Sequence, residues 1–468
     1  MSAPSSPSPL RSRLTSIAVA GGLLMEFIDS TSLATALPTL SREFGIPPEE
    51  LKLALTTYVL ALAMFIPASG WLSDRFGARR VYMIAIGIFM AGSLACALSA
   101  NLAMLVAARF LQGLGGALML PVARTIIVRS TPRENLVSAM AWFTIPGLLG
   151  PLIGPPLSGF ILSIANWHWI FLINLPVSVL AIVAIRLLVP ETAEDRNIRT
   201  FDMQGFVLTA SAMILFIGAI ELSGVGLPLY FSIGAVAGAL LLMAGYIRHA
   251  LRRERPVLNL QLFRYTTFRL SMIAGTVVRL GFGAGPLLMP LYFQIGLGWS
   301  PLAAGGIIIG HSIGVILAKP FAPRVIGWLG FRNALIACNL AASVAAFFPY
   351  LFSNATPLLL MYAVLITGGL SRSMQFTANN SLAYSELDDA EVSDAATMAS
   401  VLQQLGLAMG VSLGGLLIHL GRETSGGALT ASSFLMPFAA VSILMAAASL
   451  IYMRLPRDAG EAMRGAAA

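Results

Sequence analysis

The stretch MEFIDSTSLATALP, residues 25–38, places two carboxyl groups, Glu26 and Asp29, inside an apolar run that begins near Leu14. Residues three apart lie on one face of a helix. A charge at the centre of a bilayer costs about 2.5–3.5 kcal/mol on insertion scales, so such a face must turn toward protein or water. Two carboxyls this close titrate as a coupled pair. That chemistry suits binding and release of a proton. The other reading is an ion pair that holds helices together, with Arg109 of a later apolar run as its partner. The two are compatible, because protonation of Asp29 would release the arginine.

A second polar set lies in the C-terminal half. Arg279 falls roughly 16 Å along its apolar run, counted from Phe268 at ~1.5 Å per residue. His311 sits midway along the next run, and Arg372 lies deep in a third. Gln375, Asn379, Gln403 and Gln404 add polar faces. Arginine at such depth should line a cavity rather than face lipid. Arg279 and Arg372 together suit a substrate with negative groups, since arginine grips carboxylates in a bidentate way. Pairing of each arginine with helix carbonyls or polar side chains is the structural alternative. His311 reads equally well as a packed, hydrogen-bonded histidine.

Membrane helices must hold these residues in place. Of 468 residues, 57% are hydrophobic and 11% charged, against about 25% charged in soluble domains. Fourteen apolar runs near 20 residues follow one another, at 14–36, 53–73, 81–99, 102–126, 137–162, 168–189, 203–222, 226–247, 268–292, 301–319, 333–352, 357–380, 395–419 and 432–453. Each can cross a ~30 Å hydrocarbon core as a helix, and only helices satisfy the backbone within one segment. The expected fold is an all-α membrane protein. It divides into a disordered tail (1–13), a six-helix bundle (14–189), two extra spans (203–247), a second six-helix bundle (268–453) and a C-terminal tail (454–468).

Basic residues set the orientation. Arg75, Arg79, Arg80, Arg129, Arg133, Arg248, Arg252, Arg253, Arg255, Arg264, Arg454 and Arg457 fall on one side. The opposite side holds only Arg42, Lys52 and Arg422. Both termini are therefore expected in the cytoplasm. The net charge of +8 belongs to these loops and implies no nucleic-acid partner. Cys96 and Cys338 both lie within spans, so no disulfide framework is implied.

Two motifs read mechanically. In GWLSDRFGARR (70–80), Asp74 stands beside Arg75, Arg79 and Arg80. A carboxylate there can pair with arginine or cap a helix and so latch an inner gate. Gly70 and Gly77 permit close helix contact and a tight turn. In GLLGPLIGPPLSG (147–159), Gly147, Gly150, Gly154 and Gly159 with Pro151, Pro155 and Pro156 give a bare, bent helix that neighbours can approach closely.

The chain resembles the major facilitator superfamily through five motifs in order. GWLSDRFGARR is similar to its signature loop and ARFLQGLGGA (108–117) to its fourth-span motif. GLLGPLIGPPLSG resembles the antiporter motif, with Ser158 where a second glycine is common. MEFIDSTSLATALP and NWHWIFLINLP (166–176) resemble the fourteen-span drug:proton antiporters, with His168 where arginine is common. The resemblance implies two six-helix bundles plus two extra central helices. It also implies proton coupling through Asp29 more than Glu26, tuned by Arg109, and a fifth span that seals the outer half against leak.

The sequence contains no phosphate loop, HExxH or paired-cysteine metal site, so neither enzymatic chemistry nor a cofactor or metal is expected. The expectation is a monomeric, multi-pass protein of the cell inner membrane with a small molecule and protons as its partners. It would export drugs in exchange for protons. The alternatives are export of an anionic metabolite or metal chelate such as iron-citrate, proton-coupled uptake, or a non-transporting sensor. Arg279, His311, Arg372, Gln375 and Gln403 are the expected substrate contacts. The two extra spans are expected to lie outside the transport path.

Overall fold

The computed structural model describes residues 9–131, 136–191, 200–222, 228–388 and 391–461, with most of their side chains from Leu14 onward. Arg133, most of the 190–202 linker and most of the expected tails lie outside these residues. The described residues are helical, without strands.

The first bundle contains α1 (Pro9–Phe44), α2 (Lys52–Phe65), α3 (Ala68–Phe76), α4 (Ala78–Ala97), α5 (Leu102–Ser130), α6 (Leu136–Ile164), α7 (His168–Leu172) and α8 (Asn174–Leu188). Then come α9 (Met203–Leu222) and α10 (Leu229–Ala250). The second bundle holds α11 (Thr266–Leu291), α12 (Pro301–Leu317), α13 (Ala322–Leu329), α14 (Phe331–Phe347), α15 (Leu358–Ala383), α16 (Val392–Thr424) and α17 (Leu435–Tyr452). Among the described residues, ten helices or fused segments are long and apolar enough to cross a membrane, and twelve when two bent pairs count as one span each. The remaining expected spans coincide with α6 and α15, so a helical segment stands at every expected position.

The sequence reading expected single spans at 53–73 and 301–319, and both are bent. The α2–α3 pair turns by 58° and the α12–α13 pair by 61°. Pro67 and Pro320 sit at the two breaks, where a missing N–H and a ring clash end a helix. After each bent pair the chain turns through a glycine with positive φ, Gly77 at 80° and Gly330 at 76°, a conformation that glycine adopts without a Cβ penalty. Two residues later Arg79 donates to the Arg186 carbonyl at 2.6 Å, and Arg332 donates to the Met453 carbonyl at 2.7 Å. Each carbonyl closes the last span of its own bundle. The segments GWLSDRFGARR (70–80) and PRVIGWLGFRN (323–333) thus carry a matched pair of backbone anchors.

Within the first bundle α1 packs on α6, α5 and α8, and α5 packs on α2 and α4. In the second, α11 packs on α16 and α17, and α15 on α12 and α14. The bundles meet through α6 against α12, α2 against α16 and α1 against α11. Helix α9 leans on α2 and α16, while α10 contacts α9 and is otherwise largely exposed. At the start of α9, burial would push the Asp202 carboxyl up. Hydrogen bonds from His249 (2.7 Å) and from the Gly205 and Val257 N–H groups outweigh it and hold that carboxyl below its usual range.

Candidate functional site

Helix α1 presents Glu26 and Asp29 to the interior of the first bundle, and both are buried. Arg109 of α5 reaches Asp29 with Nη1 2.5 Å from Oδ2, both side chains fully shielded. The Asp29 Oδ1 accepts two further bonds, from Gln112 Nε2 (2.9 Å) and Asn174 Nδ2 (2.8 Å). Ser93 of α4 accepts from the same two amides. One carboxylate thereby ties together α1, α4, α5 and α8. A charge buried this deeply is tolerable only with such full pairing.

Glu26 has a different setting. It accepts one hydrogen bond, from the Tyr58 hydroxyl at 3.0 Å, and has no Lys or Arg at ion-pair distance among the described residues. The Tyr58 ring lies under the Arg109 guanidinium, 4.1 Å from ring centroid to Cζ. Tyr58 thus touches both members of the site, binding Glu26 through its hydroxyl and Arg109 through its ring. Sequence reasoning placed Arg109 correctly as the partner of Asp29. It missed Gln112, Asn174, Ser93 and Tyr58. The first two stand inside quoted motifs, and Gln112 is three residues from Arg109 on the same helical face.

A cavity lies between the bundles. Thr31, Ala34 and Thr35 of α1 and Pro151 and Pro155 of α6 form one wall. The other is built from α11, α12, α14, α15 and α17 and includes Phe282, Met289, His311, Ser312 and Arg372. Its volume is about 160 Å³, and most of the lining is apolar. Arg372 Nη1 lies 3.3 Å from His311 Nε2, and its guanidinium sits 4.5 Å over the Phe282 ring. No carboxylate lines the cavity. The expected substrate contacts therefore separate. His311 and Arg372 face the cavity. Gln375 is buried elsewhere, donating to the Tyr452 hydroxyl at 2.7 Å. Arg279 is also buried off the lining, and Gln403 does not belong to it.

The bundles are closed at one end. Gly159 of α6 meets the Pro301 carbonyl and Leu302, and Gly305 of α12 meets the Pro155 carbonyl. An added Cβ on Gly159 would stand 2.6 Å from the Pro301 oxygen. The same end carries Gln294 Nε2 on the Thr35 carbonyl (2.9 Å), Arg422 on Glu49 (2.6 Å) and Thr56 against Ser412 (3.3 Å). Gly147, Gly150 and Gly154 instead face α1, at Phe27, Ile28 and Thr31.

At the opposite end Asp74 pairs with Arg129 at 2.6 Å, not with Arg75, Arg79 or Arg80 as its sequence neighbours implied. Arg75 and Arg80 are exposed, and Gly70 faces open space rather than a close helix. Asp74 thus binds within its own bundle here. Helix α9 holds one surprise. Glu221 is buried, lies 3.2 Å from Lys52 and accepts from Ser412 Oγ at 2.5 Å. Lys52, expected in an outer loop, in fact begins α2 and is buried.

The family model described as Major Facilitator Superfamily matches residues 19–410. A Serratia proteamaculans protein named "Putative multidrug resistance protein MdtD" is 37% identical over 446 residues, covering 94% of this chain and 93% of its own. The protein of the same name from Escherichia coli strain K12 is 36% identical over 448 residues, covering 94% of each. Among solved structures, an auto-inhibited POT family peptide transporter superposes with a TM-score of 0.67 over 95% of this chain and 97% of its own, at 17% identity. That last likeness speaks for the fold alone. The chain belongs to the major facilitator superfamily, a family of membrane transporters and not of enzymes.

Proposed function

We propose that this chain expels small lipophilic molecules from the cell in exchange for protons, by alternating access across the cytoplasmic membrane. The relatives named for multidrug resistance support the efflux part. One observation carries the coupling part. Helix α1 bears Glu26 and Asp29, and only one to two turns later the same helix walls the cavity with Thr31, Ala34 and Thr35. A change of protonation on α1 therefore acts on a helix that the substrate touches. In this reading Asp29 and Arg109 hold the helices, and Glu26, with one neutral donor, exchanges the proton. A proton moving down 100 mV releases ~2.3 kcal/mol, which supports about a fiftyfold substrate gradient at one-to-one exchange.

The chain acts as a monomer with both termini and the Asp74 side in the cytoplasm, on the asymmetry of basic residues. Its closed end, at Gly159 and Gly305, then faces outward and the structure is the inward-facing state. The six-two-six division of the sequence supports a reading in which α9 and α10 lie outside the transport path.

The cavity lining narrows the substrate. Among the described residues its lining contains Arg372 and no carboxylate, so a lipophilic cation finds no counter-charge there, an acidic lipophile finds one, and a neutral lipophile needs none. This feature also favours the second reading, export of an anion. Transport of one neutral and one anionic lipophile should be compared in wild type and Arg372→Gln. The anion is expected to lose at least tenfold in flux, as for loss of a charged hydrogen bond of about 1.5–3 kcal/mol, and the neutral substrate under threefold. Equal losses for both would remove Arg372 from substrate recognition.

A further inference from the structure

Three helices meet at the closed end, and one of them is α9. Lys52 begins α2 of the first bundle, and its stem crosses the bare face of α16 at Gly415. A Cβ added to Gly415 would stand 2.1 Å from Lys52 Cδ, so only glycine leaves room for the crossing. The ammonium group then pairs with Glu221 of α9 at 3.2 Å. The second bundle reaches the same carboxylate, because Ser412 Oγ of α16 donates to Glu221 Oε1 at 2.5 Å. A hydroxyl has one proton to give, so Thr56 of α2 is the donor to Ser412 Oγ across their 3.3 Å contact. All four side chains are buried.

Glu221 is the one charged residue of α9. A carboxylate in an apolar span is costly unless it is paired, and this one stands where α9 packs against both α2 and α16. Each of its oxygens serves a different bundle. To open this end, α2 and α16 must part, and Glu221 cannot follow both. Losing Lys52 would leave two unpaired buried charges, whereas losing Ser412 breaks a single bond. Helix α9 therefore stays with α2, and opening breaks the Ser412–Glu221 bond. That bond has a charged acceptor, which makes it stronger than the neutral Thr56–Ser412 contact beside it.

We propose that Glu221 straps the two bundles together across their closed end, so that the extra helix pair sets how often this end opens. The inference rests on the reading that this end faces outward and opens during transport. It gives α9 a part in the gate while leaving it outside the substrate path.

The test is labelling of Thr35→Cys by a membrane-impermeant thiol reagent, applied to right-side-out and inside-out vesicles without substrate. The full-length chain is used, with Cys96 and Cys338 replaced by alanine. Glu221→Ala removes both links and should speed labelling from outside at least tenfold while slowing it from the cytoplasmic side. Ser412→Ala keeps the Lys52–Glu221 pair and cuts the tie to the second bundle, and should speed outside labelling about tenfold, as for loss of one hydrogen bond to a charged group. It also carries the test if Glu221→Ala does not fold. Thr56→Val removes only the direct contact between α2 and α16 and should change the rate less than twofold. Equal rates for Ser412→Ala and Thr56→Val would overturn the proposal, because α9 would then add nothing to the closure. Faster labelling of Glu221→Ala from both sides would also overturn it, since that is loosening and not a shift between states. If Gly305→Val opens this end and Glu221→Ala and Ser412→Ala do not, the strap is refuted and the gate stands. If none of them labels from outside, the reading of this end as a gate fails and the strap fails with it.

Discussion

Arg109→Ala is expected to abolish transport and to destabilise the protein by about 3–5 kcal/mol, the cost of removing one partner from a buried ion pair. The reason is the isolation of the site. Asp29 would keep Gln112 and Asn174 but lose the one cation at ion-pair distance from it among the described residues. The bonds of Arg109 to the Gln112 side chain and the Ala54 carbonyl would go as well. Arg109→Lys should rescue little, because a lysine cannot reach Asp29, Gln112 and the Ala54 carbonyl together. Glu26→Gln is the contrast. The Tyr58 hydroxyl can still donate to an amide oxygen, so stability should change by about 1 kcal/mol or less. Melting of the purified variants separates the two cases. A melting temperature for Arg109→Ala within a degree of wild type would contradict the role of the pair as the bundle's tie.

Gly305→Val is expected to lower transport to about a hundredth of wild type while leaving the protein folded. Gly305 faces the Pro155 carbonyl across the interface of α6 and α12, and backbone carbonyls cannot swing away as a side chain can. Overpacking costs about 1–3 kcal/mol. Here that penalty falls only on the state in which this end is closed. A penalty of ~3 kcal/mol shifts a two-state equilibrium more than a hundredfold. The readout is labelling of Thr35→Cys by a membrane-impermeant thiol reagent from each side of the membrane. Combined with Gly305→Val, the cysteine should become reachable from the Gly305 side at all times. Labelling unchanged from that of Thr35→Cys alone would show that this contact is not the seal.

Much of this architecture was legible because bilayer thickness imposes a length and a hydropathy on every span. Those two signals located a helical segment at each of the fourteen expected positions and put Asp29, Arg109, Arg279 and Arg372 within helices. They did not resolve direction around a helix axis. Arg279 is buried and Arg372 half-buried, and of the two only Arg372 lines the cavity. Neighbours in sequence also misled at Asp74. Its partner, Arg129, is 55 residues away because the bend after Pro67 aims α3 across the end of α5. The proline was visible, but the apolar run continues through it and hides the break. Nothing local to Lys52 or Glu221 reveals that each buries the other. Gln112 and Asn174 were within reach, because neutral amides in apolar spans need buried partners.

Proton movement in energised inside-out vesicles tests the central claim most directly. A pH-sensitive dye reports the gradient as lipophilic substrates are added, for wild type, Glu26→Gln and Asp29→Asn. The account predicts collapse of the gradient on substrate addition in wild type and loss of that response in both variants, with Glu26→Gln still folded and still binding substrate. A response that survives unchanged in both variants, or substrate flux with no proton movement in wild type, would contradict it.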